Sequence, residues 1–213
     1  MIKYFLGIAI VVLLIVVSCN KTDDTPPIIF MNGADTLVHI LNQPYIDEGA
    51  TATDETDGNI TYNIYVDNQV DENKVGWYTV TYTVIDEAGN EAAPATRDVF
   101  ILNEAYTYID NYQLTEIQQY PDQNTCQYDI TTWIDSTVNY RIVFNNFACG
   151  FEQPVLADVS GEYLLIPFQI IEDSLSSFVI QGSGSITDTL MLLDYTLKND
   201  SIITLWEAKI IRL

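Results

Sequence analysis

Positive charge is what this 213-residue sequence has least of: eight Lys and Arg stand against 30 Asp and Glu, a formal net charge of −22. Such a chain repels polyphosphate, which excludes nucleic-acid binding by counterion release and electrostatic adherence to an anionic bilayer. Histidine is nearly absent. The single copy, His39, lies in a strand-like run, Thr36–Leu41, and no Ser–His–Asp or GxSxG pattern accompanies it. The three cysteines, Cys19, Cys126 and Cys149, form no CxxC pair and no Cys/His cluster, so a zinc centre has no ligand set. Helical periodicity is missing after the first two dozen residues. Gly182-Ser183-Gly184 is not followed by a helix, so it reads as a bend or bulge between strands rather than a phosphate loop. Carboxylate pairs are inevitable among so many acids and do not by themselves indicate a glycosidase. These absences lead to the expectation that the protein is not an enzyme.

What is present begins with one apolar run, Tyr4–Val17, behind Lys3. It amounts to about 14 residues, roughly 21 Å of helix, short for a ~30 Å hydrocarbon core and suited to a secretory signal. The tetrad Val16-Val17-Ser18-Cys19 resembles the lipobox of bacterial lipoproteins. That resemblance implies a signal peptide over 1–18 and a lipid on the Cys19 thiol. Residues 19–27 are polar and end in Pro26-Pro27, which marks a flexible tether. Within it, Lys21-Thr22-Asp23-Asp24 resembles the charged export signal of Bacteroidetes surface lipoproteins, implying an outer-membrane, cell-surface location.

Residues 28–103 alternate apolar and polar side chains. In Gly76–Asp86, Tyr78, Val80, Tyr82 and Val84 share the core face and Trp77 points outward. Ile60–Asp67 and Thr96–Leu102 read as further strands, and Glu87-Ala88-Gly89-Asn90 as a turn. Short antiparallel strands over this length suit an immunoglobulin-like sandwich. The A-x-D-x-x-DG-x-I-T segment at Ala52–Thr61, the G-x-Y-x-V-x-Y-x-V-x-D strand at Gly76–Asp86 and the turn Ala88-Gly89-Asn90 resemble the bacterial surface Ig-like domain of the pesticidal crystal protein type. The family is one of spacers and adhesion modules, so the resemblance implies a fold and no catalytic residues.

Residues 104–213 form a second unit. Its strands are expected at Tyr112–Tyr120, Gln127–Ile134, Tyr140–Phe144, Val155–Val159, Tyr163–Ile166, Ser177–Gln181, Thr189–Leu197 and Ser201–Arg212, with short turns and no crossover helix. An eight-strand antiparallel meander permits a closed, calycin-like barrel or a strongly curved sheet. A polar turn at Asp135–Val138 sits midway between Cys126 and Cys149. Folding there brings the two thiols opposite each other and predicts a disulfide in an exported protein. The blocks Tyr140–Phe144, Asn146-Phe147 and Val159–Gln169 resemble the small β-barrel domains that end many Bacteroidetes lipoproteins. The fold class expected is thus all-β, a sandwich followed by a meander or barrel.

Two kinds of site remain. The acidic loops supply Asp54, Asp57 and Asp86, oxygen ligands of the type Ca²⁺ takes, although Asp and Gly58 also serve turn chemistry. Among 25 aromatic residues, outward-facing Trp77 and Trp133 beside the hairpin turn are ligand-contact candidates. No other cofactor is expected. The whole layout resembles accessory lipoproteins of SusC/SusD-type uptake systems. This implies a ligand-binding or structural role beside a TonB-dependent transporter and its SusD-like lipoprotein in glycan or oligopeptide uptake. An adhesin or fimbria-like component with the Ig-like domain as spacer is the alternative.

Overall fold

The computed structural model describes residues 22–173 and 176–213. The apolar run, the signal peptide and Cys19 lie outside the described residues.

Seven strands build the first unit: β1 (Ile28–Met31), β2 (Thr36–Ile40), β3 (Ala50–Asp54), β4 (Gly58–Asn59), β5 (Tyr65–Asn68), β6 (Gly76–Thr83) and β7 (Ala95–Leu102). They form two sheets, β1-β3-β4 and β2-β7-β6-β5. The alternation in β6 does what its sequence requires. Val80, Tyr82 and the following Val84 are buried; Val80 and Tyr82 pack with Leu41, Val99 and Ile101, and Val84 with Ala52, Ile60 and Ala92. Each aliphatic side chain enclosed in this way contributes about 1.5–3 kcal/mol.

Two details depart from the sequence pattern. Ile60–Asp67 is not one strand. Asn59 Oδ1 accepts a hydrogen bond from Thr61 N (3.0 Å) and the Thr61 hydroxyl caps Ala52, winding Thr61–Asn63 into a 3₁₀ turn, so the strand starts only at Tyr65. The sheet is also not purely antiparallel, because β2 runs parallel to β7. Alternation reports which face is buried but carries no information on strand direction.

One charge lies in this core. Arg97, on β7, is fully buried and is paired with Asp47, while its Nε donates to the Ala34 carbonyl (2.9 Å) and its terminal nitrogen to the Asn32 carbonyl. Tyr82 and Tyr45 donate to the same Asp47 carboxylate. The long loop from Asn42 to Gly49 is thereby tied to the sandwich without regular structure of its own.

The second unit is a closed eight-stranded barrel. Its strands are β8 (Asn111–Tyr120), β9 (Thr125–Ile134), β10 (Arg141–Phe144), β11 (Val155–Ser160), β12 (Tyr163–Asp173), β13 (Ser176–Ile186), β14 (Leu190–Lys198) and β15 (Ile203–Arg212). Each pairs antiparallel with the next, and β15 returns to β8. Closure removes the sheet edges, which an open meander would leave exposed. The interior is filled by Tyr112, Leu114, Ile142, Phe144, Phe147, Leu164, Ile180, Met191 and Ile210, among others. Gly182 and Gly184 occupy an unbroken ladder with β14, not a bulge. A Cβ on Gly184 would stand 1.7 Å from the Leu192 carbonyl oxygen, so glycine is required by the close approach of the two strands.

The junction at Asn103 is a buried joint. The Asn103 amide donates to the Asp135 and Val138 carbonyls (2.8 and 2.9 Å), and its oxygen accepts from Ala105 N and Tyr140 N. The β9–β10 turn itself docks on the sandwich. Val75 N donates to the Ser136 carbonyl, Asn42 Nδ2 to the Thr137 carbonyl, and Asn139 N to Asn42 Oδ1.

Candidate functional site

At one end of the sandwich the acidic loops converge. β3 ends at Asp54, whose Oδ1 accepts from Thr56 N and Asp57 N (2.7 and 2.9 Å), and Gly58 completes the turn at φ 73°. Asp86, beyond β6, accepts from Asn90 N and from Asn90 Nδ2, both at 2.7 Å. Burial opposes the charge on Asp86, but the donors from Asn90 and the Gly89 and Ala88 amides outweigh it and hold the carboxyl below its ordinary range. The Asn90 amide also donates to the Asp23 carbonyl (3.0 Å), which draws the segment before β1 into the same corner. One carboxylate oxygen from each of Asp23, Asp54 and Asp86 lies within 4.8 Å of the other two.

The sequence grouped Asp57 with Asp54 and Asp86. The structure replaces it with Asp23. Asp57 Oδ2 accepts from Glu87 N (2.8 Å) and is committed to bracing one loop on the other. Asp23 was assigned to a flexible tether, and nothing in its local spacing signals a place beside residues 54 and 86.

The barrel carries a different feature, an open groove of about 920 Å³ across β12–β15. Leu165, Phe168 and Leu205 supply its exposed apolar surface, and Gln181, Asp194 and Glu207 its polar groups, while Tyr195 and Trp206 border it with their side chains buried in the barrel core. Two irregularities accompany it. The β12 ladder slips between Ile166 and Gln169, at Pro167, and the β15 ladder slips between Leu205 and Trp206. Phe168 is left 67 % exposed. Sequence reasoning missed these residues, although Pro167 inside an apolar run was a signal of a broken ladder.

Beneath the groove, Glu116 is fully buried in the barrel. Its carboxylate accepts from the Tyr195 and Tyr128 hydroxyls (2.9 and 2.7 Å) and from the amides of Ala148 and Cys149 (3.0 and 2.6 Å). Burial pushes its pKa up against those four donors. It holds the turn at Phe147–Gly150, where Ala148 and Cys149 sit at positive φ. Cys149 is joined there to Cys126 by a disulfide.

The remaining candidates are dispersed. Trp77 is 65 % exposed and leans on Phe100, ring centroids 4.9 Å apart. Val38, Phe100 and Trp77 are register neighbours across β2, β7 and β6, forming an apolar row on the outer face. Trp133 is 42 % exposed, two residues from the turn that docks on the sandwich, so it neighbours the joint. Neither tryptophan lines the groove. His39 donates to the Gln43 carbonyl (3.0 Å), as an ordinary sheet residue does.

No curated protein matches this chain in sequence. Among solved structures, a lipoprotein from Bacteroides thetaiotaomicron is similar at 14 % identity and TM-score 0.35, over 86 % of this chain and 98 % of that one. A candidate outer membrane protein from Bacteroides fragilis is similar at 12 % identity and TM-score 0.35, over 78 % of this chain and 89 % of that one. The chain is all-β, and its residues 29–101 match the family model described as bacterial surface protein, Ig-like domain.

Proposed function

We propose that this protein is a non-catalytic cell-surface lipoprotein that serves as an accessory subunit of an outer-membrane, SusC/SusD-type nutrient-uptake complex. The barrel contacts the glycan or oligopeptide ligand, and the Ig-like domain holds it in place. The observation that carries this reading is the groove, where the exposed Phe168 ring and the Leu165 and Leu205 side chains lie beside the Asp194 and Glu207 carboxylates and the Gln181 amide. Aromatic rings stack on sugar rings or apolar peptide side chains, and the polar groups orient the ligand through its hydroxyls or amides. A lipid on Cys19 would supply the membrane attachment that the net negative charge denies.

The test is binding to a glycan and oligopeptide library, together with affinity co-purification from the native envelope. Phe168→Ala is expected to weaken ligand binding several-fold while the fold persists, because Phe168 is exposed and bears no core contact. The intact protein is expected to bring down a TonB-dependent transporter. Binding that Phe168→Ala leaves untouched would sink the groove assignment, and absence of any transporter would sink the complex. The row Val38, Phe100 and Trp77 favours the adhesin as the second reading. Under it, Trp77→Ala abolishes adhesion to a host or neighbouring cell and Phe168→Ala has no effect.

A further inference from the structure

The acidic corner of the sandwich contains an electrostatic imbalance that hydrogen bonding does not relieve. Asp54 is only 8 % exposed. Its Oδ1 is saturated by two amides, whereas its Oδ2 is buried and has no donor. Asp23 repeats the pattern: Oδ1 accepts from Thr25 N (3.2 Å) and Oδ2 is buried without a donor. These are the two buried side-chain oxygens without a partner among the described residues. Both belong to the cluster completed by Asp86. The described arginines are engaged elsewhere, Arg97 with Asp47, Arg141 with Asp158 and Arg212 with Asp110. Three carboxylates this close, two with a buried oxygen that has no donor, are unfavourable unless a cation sits among them.

We propose that Asp23, Asp54 and Asp86 form a calcium site that clamps the segment preceding β1 onto the β3–β4 and β6–β7 loops. The donors are all hard oxygens, which selects Ca²⁺ or Mg²⁺ over the softer transition metals. They come from three separate segments, with no preset octahedral frame, and suit the larger ion with its variable coordination of six to eight oxygens. Each of the three carboxylates supplies one oxygen to the cluster, and water completes the shell. An affinity in the range of about 10⁻⁴–10⁻³ M, that of extracellular calcium modules, is expected. The clamp has a structural consequence. The segment leading into the sandwich ceases to be a free tether at Asp23, so calcium shortens the slack between the amino-terminal end and the first domain.

The site does not depend on the proposed function. Its test is calorimetric titration of the chelator-treated full chain with CaCl₂ alone, alongside MgCl₂. One calcium per chain is expected, with protection of the segment before Ile28 from proteolysis. Asp54→Asn keeps the Oδ1 acceptor of the turn and is expected to weaken calcium binding by about tenfold or more. Asp23→Asn lies outside both sheets, so it leaves the fold intact and gives the same loss. Asp24→Asn, at an exposed neighbour, leaves binding unchanged. A folded wild-type chain that gives no calcium heat, or undiminished binding in Asp23→Asn, overturns the proposal. Equal affinity for magnesium overturns the choice of ion.

Discussion

At the scale of the residue, Glu116 makes the stability of this fold depend on pH. Burial raises its pKa from an ordinary value near 4.5. A carboxyl raised in the folded state favours folding while it is protonated. Its contribution is complete below the unfolded value and is lost as pH rises through the folded one. Asp47 and Asp135 act in the opposite sense. Burial opposes their charge too, but Tyr82 and Gly49 for Asp47, and Thr137 and Val138 for Asp135, donate hydrogen bonds that hold both below the usual range. Their contribution is present above about pH 4 and is lost as pH falls through the depressed values. Denaturant unfolding of Glu116→Gln should therefore show no decline between pH 4.5 and 7 where the wild-type barrel does. At pH 5 the variant should be about 1–3 kcal/mol less stable, because its amide nitrogen replaces one oxygen and confronts either the Ala148 or the Cys149 N–H group. An unchanged pH slope would remove Glu116 from this role. Apart from Cys149, neither Glu116 nor its partners stand out in the sequence, since Tyr128, Ala148, Cys149 and Tyr195 come from three distant segments.

At the scale of elements, the β9–β10 hairpin and the turn after it are held from both ends. The ladder pairs Ile134 with Ile142 and ends at Phe144, after which Asn146, Ala148 and Cys149 all adopt positive φ. Such conformations are unfavourable for residues other than glycine and persist only where the surroundings enforce them. Here the Glu116 carboxylate and the Cys126–Cys149 disulfide do so. Replacing both cysteines with alanine should lower barrel stability by about 3 kcal/mol, the loop-closure value for a 23-residue separation. Chemical denaturation should show the loss in the barrel and leave the sandwich unaffected. Equal stability of the two forms would mean that the carboxylate suffices. The eight barrel strands were legible as apolar or alternating runs bounded by turn residues, although β12 and β13 run on to Asp173 and Ile186, past the expected ends at Ile166 and Gln181. The β5 start and the parallel β2–β7 pair were not, because a side-chain capping bond decides the first and chain direction the second.

At the scale of the whole molecule, Asn103 decides whether the two units move separately. Its side chain satisfies four backbone groups, three between β9 and β10 (Asp135, Val138 and Tyr140) and one at Ala105. Asn103→Ala leaves buried donors and acceptors unpaired, each at a cost of about 1–3 kcal/mol. Small-angle scattering of the variant should show a broader distribution of inter-domain distances than wild type, and calorimetry should show two transitions moving apart. Identical scattering would mean that Asn42 and Asn139 hold the joint without it. An isolated barrel should accordingly begin before Asn103, since a cut after it removes the cap of its own hairpin turn.

Composition, alternation and turn residues by themselves determined an all-β chain of a sandwich followed by an eight-strand meander. They also determined which face of β6 is buried and that Cys126 and Cys149 are brought together, because these follow from short-range periodicity. Barrel closure, the groove, the buried joint and the membership of the acidic corner were decided only by tertiary structure. Each depends on side chains far apart in the chain. Asn90 bonds the Asp23 carbonyl and holds that segment beside Asp54 and Asp86, whereas Asp57 Oδ2 accepts from Glu87 N. A linear pattern lists the carboxylates, whereas packing decides which of them are left without a donor.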